Sequence, residues 1–97
     1  MKSIFIAYDQ AFQERLLALL DNQNVRGFSL FPELHGRGTH GGEPHYGSHA
    51  WPALSSAVLT IVDDDRVDAL LEALHALDLE SPLLGLRAFV WDVEKTI

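Results

Sequence analysis

The 97 residues leave room for one domain and one core, and 7 Lys plus Arg against 14 Asp plus Glu give a net charge of −7, which repels phosphate backbones and anionic lipids and excludes nucleic acid as a favoured partner. A 47% hydrophobic content rules out a disordered polymer, and no apolar run approaches the ~20 residues of a membrane span, so direct membrane insertion is not expected. The absence of cysteine removes disulfides, thiolate metal sites and thiol nucleophiles, and Met1-Lys-Ser-Ile-Phe-Ile6 lacks the pattern of a secretory leader, so a cytoplasmic location is expected. A chain this short buries only a modest part of its surface unless copies associate.

In chain order, residues 2 to 8 alternate, with Ile4, Ile6 and Tyr8 on one face and Phe5 and Ala7 on the other, which predicts a strand. Asp9 is placed to cap a helix over residues 10 to 22, whose apolar stripe is Phe12, Leu16, Leu19 and Leu20. A second strand is expected from Val25 to Phe31, and a near-continuous apolar run from Ser56 to Val62 reads as a central strand. Asp63, Asp64 and Asp65 suit the start of a second helix, where side-chain oxygens accept from free N–H groups and negative charge meets the positive end of the dipole. Capping outranks Mg²⁺ binding there. The buried stripe of that helix is Val67, Leu70, Leu71, Leu74 and Leu77, with His75 off it, Ser81-Pro82 ends it, and residues 86 to 93 supply the last strand.

The order βαββαβ is the ferredoxin-like α+β plan: one domain over residues 1–97, an antiparallel sheet with two helices on one face, and a long loop between the second and third strands. The other face of such a sheet stays open, and Phe5, Phe31, Leu59, Phe89 and Trp91 are the residues expected to close it between subunits. A fold with many functions does not decide this one, so the sites must.

Four of the five histidines (His35, His40, His45 and His49) and five of the seven glycines lie between residues 35 and 49. A glycine-rich loop folds back easily, and imidazoles together with Glu33 or Glu43 suit Zn²⁺, Ni²⁺ or Cu²⁺. The spacing matches no defined metal motif, and the competing reading is a set of solvated side chains at a loop tip. Trp51-Pro52, at the end of the loop, reads as an anchor or subunit contact before a stacking surface. Ser48, His49 and the aspartates form no hydrolytic triad, since no nucleophile elbow frames them, so an enzyme is not expected.

Three segments fall in a familiar order: Val25-Arg-Gly-Phe-Ser-Leu30 before the glycine-rich loop, Ile61-Val-Asp-Asp-Asp-Arg-Val67 entering the second helix, and Gly85-Leu-Arg-Ala-Phe-Val-Trp-Asp-Val-Glu-Lys95 at the end. In this the chain resembles the PII-like (nitrogen regulatory protein P-II-like) signalling family, as a divergent member, over nearly all its residues. The resemblance implies a homotrimer that binds an adenine nucleotide in clefts between subunits. It equates residues 33 to 52 with the T-loop, and it implies regulation of a partner such as a membrane transporter or metabolic enzyme. The positions it matches to ligand contacts are Ser29, the loop base Gly36, Arg37 and Gly38, then Val62, Asp63 and Asp64, and finally Gly85 with Arg87. Arg87 fits an anion contact or an intersubunit ion pair equally well.

The chain also departs from that family. Where classical members carry a Gly-Asp-Gly-Lys run that grips phosphates, this chain has Leu79-Glu-Ser-Pro-Leu-Leu-Gly-Leu86, and the glutamine that helps bind Mg²⁺ and 2-oxoglutarate is missing from the loop. Paired arginines beyond the last strand have no counterpart before Ile97. Weak ATP binding is therefore the expectation. The alternative to a signalling role is a divalent-metal binding or tolerance protein that uses the loop histidines.

Overall fold

A computed structural model describes residues 1–37, 44–45 and 54–97, with backbone alone at positions 37, 44 and 45. The elements are β1 (Lys2–Asp9), α1 (Gln13–Asn22), β2 (Phe28–Leu34), the short strands β3 (Gly36–Arg37) and β4 (Pro44–His45), β5 (Ser55–Val62), α2 (Val67–Glu80) and β6 (Leu86–Asp92). Turns of 3-10 helix at Gln10–Phe12 and Asp64–Arg66 lead into the two helices. The main sheet is antiparallel throughout, in the order β2-β5-β1-β6, so the two-helix ferredoxin-like plan expected from the pattern is the observed one.

Both helices cover a single face of that sheet. Ile4, Ile6 and Tyr8 of β1 point into it and are essentially buried, with Val58 from β5, Leu86 from β6, Phe12, Leu16 and Leu20 from the first helical segment, and Leu70, Leu74 and Leu77 from α2. Every one of these helical residues lies three or four positions from the next on its helix, the spacing that aligns side chains on one stripe. Asp9 caps the first turn as expected, its carboxylate accepting from the Ala11 N–H at 2.9 Å.

Two boundaries differ from the sequence expectation, each for a local reason. The second strand begins at Phe28 and not at Val25, because Val25 is still closing α1. Asn24 takes a left-handed conformation (φ 59°), its N–H donates to the Asp21 carbonyl, the Val25 N–H donates to the Leu20 carbonyl at 2.8 Å, and Val25 packs beside Leu20 in the core. This is the double hydrogen bond and apolar contact of a Schellman ending, built here on asparagine in place of glycine. At the start of α2, Asp63 makes no side-chain cap; its backbone carbonyl accepts from the Arg66 N–H at 3.0 Å, and the Asp64 carboxylate accepts instead from the Met1 ammonium at 2.5 Å. A 3-10 turn satisfies the first donors, so the aspartates serve the helix through charge alone.

β2 is an edge strand interrupted by Pro32, where its register with β5 shifts between Phe31 and Leu34. A proline has no N–H for the ladder and is tolerated at such an edge bulge. The Pro32 carbonyl accepts from Ser56 Oγ at 2.7 Å and Gln10 Nε2 at 2.8 Å, and farther along the strand Thr60 Oγ1 donates to the Gly27 carbonyl at 2.6 Å. The two buried polar residues of β5 thus spend their hydroxyls on β2 carbonyls at its bulge and ahead of its first residue.

Among the described residues no helix is long and apolar enough to cross a membrane.

Candidate functional site

Residues paired across the ladder share a face of the sheet, so the register assigns the uncovered face directly. One row across it is Phe31, Ala57, Ala7 and Arg87; the next is Ser29, Leu59, Phe5 and Phe89; a third holds Ile61, Ser3 and Trp91. Phe89 is 55% exposed, Trp91 and Ile61 50% each and Phe31 41%, an apolar field on the side away from the helices that no described residue covers. All five residues expected to close the sheet, Phe5, Phe31, Leu59, Phe89 and Trp91, lie on this face.

The expected nucleotide contacts fall around that field without meeting. Ser29 is exposed on the β2 edge, whereas Arg87 stands on the β6 edge. Four strands separate these edges by three steps, about 14 Å at ~4.8 Å per step. Gly85, with φ +83°, turns the chain into β6, and its carbonyl accepts from the Asp9 N–H, at the opposite end of β1 from Val62, which pairs with Lys2. A φ in this range favours glycine at this turn, and a Cβ there would meet open space, so the constraint is backbone conformation alone. Arg87 is already engaged within its own chain: Nη1 donates to the Leu86 carbonyl at 3.0 Å and lies 3.8 Å from Asp78 Oδ2.

Of the segment 62 to 64, Val62 packs partly against the core and Asp63 and Asp64 are exposed at the strand's end. On β5 the residues that share Ser29's face are Ala57, Leu59, directly opposite it, and Ile61. Leu59 was expected on this face, and Ile61 was not. The alternation of β5 identifies Ile61 once Val58 and Thr60 are known to face the helices, but a run apolar at nearly every position makes that alternation hard to follow to its end.

A cavity of about 330 Å³ opens where β2 begins and β5 ends, lined by Arg26, Gly27, Ile61, Val62, Asp63 and Arg66 together with Met1 and the turn after α1. Its size is at the lower end of small-molecule sites, ~300–1,000 Å³. Arg66 is held in place by its Nη1 donating to the Gln23 carbonyl at 3.0 Å. On the cavity's flank the Met1 ammonium hydrogen-bonds to Asp64 and holds that carboxyl below its usual pKa, while Lys2 is raised by its hydrogen bond to Asp92. In the core, burial pushes the Tyr8 phenol up; its hydroxyl donates to Gln13 Oε1 at 3.1 Å.

At the loop base, Gly36 is described and exposed, and Arg37 by backbone alone; Gly38 lies outside the described residues. Among the candidate metal ligands, Glu33 Oε1 and His35 Nε2 are 3.7 Å apart, and the β3–β4 ribbon pairs Gly36 with His45, so the backbones of His35 and His45 run close together. His40, His49, Glu43, Ser48, Trp51 and Pro52 lie outside the described residues. Among the described residues no three metal-ligating side chains gather. His75 is exposed on α2, as its position off the leucine stripe implied.

No protein-family model matches the chain, and no curated protein matches it. Solved structures do. CPII from Thiomonas intermedia K12, bound to ADP and bicarbonate, is 26% identical with a TM-score of 0.76 over 95% of this chain and 84% of that one. The chain has the PII-like fold. CPII bound to ADP, AMP and acetate superposes at a TM-score of 0.75 and 24% identity over the same shares. A candidate PII-like signalling protein from Thermus thermophilus gives 0.67 and 20%, over 95% of this chain and 85% of that one. The PII-like resemblance drawn from the three segments is therefore matched by structures that span almost the whole chain.

Proposed function

We propose that the chain is a divergent PII-like signalling protein that assembles as a trimer, binds an adenine nucleotide between subunits and regulates a partner protein. The observation that carries this reading is the likeness over 95% of the chain to CPII bound to ADP and bicarbonate. It is supported by the separation of Ser29 and Arg87 on opposite edges of one uncovered apolar face. A ligand touching both groups must lie between copies, with the β2 edge of one subunit facing the β6 edge of the next. Ser29, Gly36, Val62, Asp63 and Asp64 then belong to one subunit's side of the cleft and Gly85 and Arg87 to the other's, while Arg37 and Gly38 are assigned to it by the resemblance alone.

Within this reading the diphosphate and monophosphate are the favoured nucleotides. Residues 79 to 86 carry no lysine and Arg87 shares its charge with Asp78, so a third phosphate finds little to compensate it. Light scattering and calorimetry test the proposal together. A trimer that binds ADP or AMP more tightly than ATP, without synergy from 2-oxoglutarate, is expected. A stable monomer at micromolar concentration removes both the trimer and the cleft. The regulated partner, a membrane transporter or metabolic enzyme by resemblance, and a cytoplasmic setting belong to the same proposal.

A second reading, divalent-metal binding, draws on the Glu33–His35 contact and on the register that sets His45 opposite Gly36. Zn²⁺, Ni²⁺ or Cu²⁺ held by these residues with His40 or His49 must bind more weakly as protons compete for the imidazoles. Titration at about pH 7.5 and about pH 5.5 of the native chain and a His35→Ala, His45→Ala variant checks it. Equal affinity in all four cases, or none, removes the metal reading.

A further inference from the structure

The cavity at the end of β5 has a charge unlike the rest of the molecule. Residues 64 to 80 alone carry Asp64, Asp65, Asp68, Glu72, Asp78 and Glu80 against a single arginine, Arg66, and this acidic run makes up most of the net charge of −7. The cavity gathers Arg66 and Arg26, with Asp63 as its one lining carboxylate; the Met1 ammonium beside them is already paired with Asp64. Such a spot concentrates an anion that the surrounding surface repels.

The two arginines are set up differently. Arg66 is pre-positioned, one Nη1 proton committed to the Gln23 carbonyl and the remaining donors of its fork uncommitted among the described residues. Arg26 is exposed at the rim and makes no ion pair among the described residues, although it belongs to an acidic chain. An arginine fork matches the paired oxygens of a carboxylate or phosphate, and two forks beside one cavity offer more donors than a single oxyanion requires. Asp63 opposes an anion but leaves the lining positive.

We propose that this cavity is an anion site in which Arg26 and Arg66 grip a small oxyanion, either a free one or the phosphate of a nucleotide. The site is distinct from Arg87 on the far edge of the sheet and supplies a cation pair where residues 79 to 86 supply none. It extends the nucleotide proposal without depending on it, because inorganic phosphate or acetate is sufficient to fill it.

The test is a ¹⁵N-resolved titration of the full chain with inorganic phosphate, acetate, adenosine and AMP. It is run on the native protein, Arg26→Ala, Arg66→Gln and, outside the cavity, Arg15→Ala, with thermal melting as the check on folding. Arg26 has no hydrogen-bond or ion-pair partner to lose among the described residues, so its variant reports on binding even if Arg66→Gln disturbs the turn at Gln23. Phosphate or acetate is expected to shift the amides of Gly27, Asp63 and Arg66. Each cavity substitution should weaken that binding about tenfold or more, as expected for a charge-assisted contact, and Arg15→Ala should leave it unchanged. Affinity should also fall as salt rises from about 50 to about 300 mM. Adenosine set against AMP separates a nucleotide source from a free ion: a gain for AMP that disappears in Arg26→Ala assigns the nucleotide phosphate to the cavity. No shift with phosphate or acetate, or equal affinity in native protein and Arg26→Ala, overturns the anion site. Phosphate binding that obeys the arginine dependence, with no binding of adenosine and AMP no tighter than phosphate, keeps the site and sinks the nucleotide proposal.

Discussion

The two faces of the main sheet are made by the same strands and meet opposite fates. On β1, Ile4 and Ile6 have no exposure at all, while Phe5 between them lies on the face away from the helices. The neighbours on that face, Phe89 and Trp91, remain about half exposed although they are as apolar as anything in the core. Hydrophobicity alone therefore does not decide burial here. What decides it is that two helices with one leucine stripe each can cover only one side of a four-stranded sheet, and the other side is left for a second surface.

Substitutions on the two faces separate these roles. The largest effect is expected on the covered face: Ile6→Ala leaves a cavity in a core that cannot readily collapse, and chemical denaturation should show a loss of ~2–5 kcal/mol. On the face away from the helices, Phe89→Ser combined with Trp91→Ser should convert the proposed trimer to a monomer in sedimentation while the monomer's own unfolding shifts by no more than ~1 kcal/mol. A collapse of monomer stability in the second variant would show that the uncovered face is held from within the chain after all.

Smaller effects sharpen the picture at the ends of the sheet. Gly85→Ala puts a Cβ where φ is +83°, and although the space is open the backbone conformation should cost ~1–2 kcal/mol, measured by the same denaturation. Asp9→Ala removes the acceptor for the Ala11 N–H and should cost ~0.5–2 kcal/mol. The least effect belongs to Asp64, exposed beside the Met1 ammonium. Its carboxyl pKa is lowered in the folded chain, so its contribution is present above the ordinary carboxylate value and is lost as pH falls through the lower folded value. The small melting difference between native protein and Asp64→Asn at neutral pH should accordingly vanish in acid.

Much of this was legible in the sequence for physical reasons that differ by element. The period of two in β1 placed Ile4, Ile6 and Tyr8 together, and the three-four spacing in α2 found Leu70, Leu74 and Leu77, because each pattern reflects one local geometry and one burying surface. Asp9 was readable as a cap from its place before the first helical stripe. The late start of β2 was not: nothing in Asn22-Gln-Asn24 shows that Val25 would be drawn back to the Leu20 carbonyl in place of joining the strand. Nor did the three consecutive aspartates reveal that Asp63 would make no side-chain cap and that Asp64 would pair with Met1, since that contact joins residues 63 positions apart.

The sequence by itself determined the order of the six main elements, though not the short β3–β4 ribbon, and also the composition of the core stripe and the existence of a second apolar face, because these follow from periodicities within each segment. Only the tertiary structure decided which residues stand together across segments. The register between β2 and β5 set Leu59 opposite Ser29, the strand order put Ser29 and Arg87 on opposite edges, and the turns after α1 and β5 brought Arg26 and Arg66 to one cavity from positions 40 residues apart. Such juxtapositions depend on pairing register and strand order, which the packing of the whole chain selects and no local spacing records.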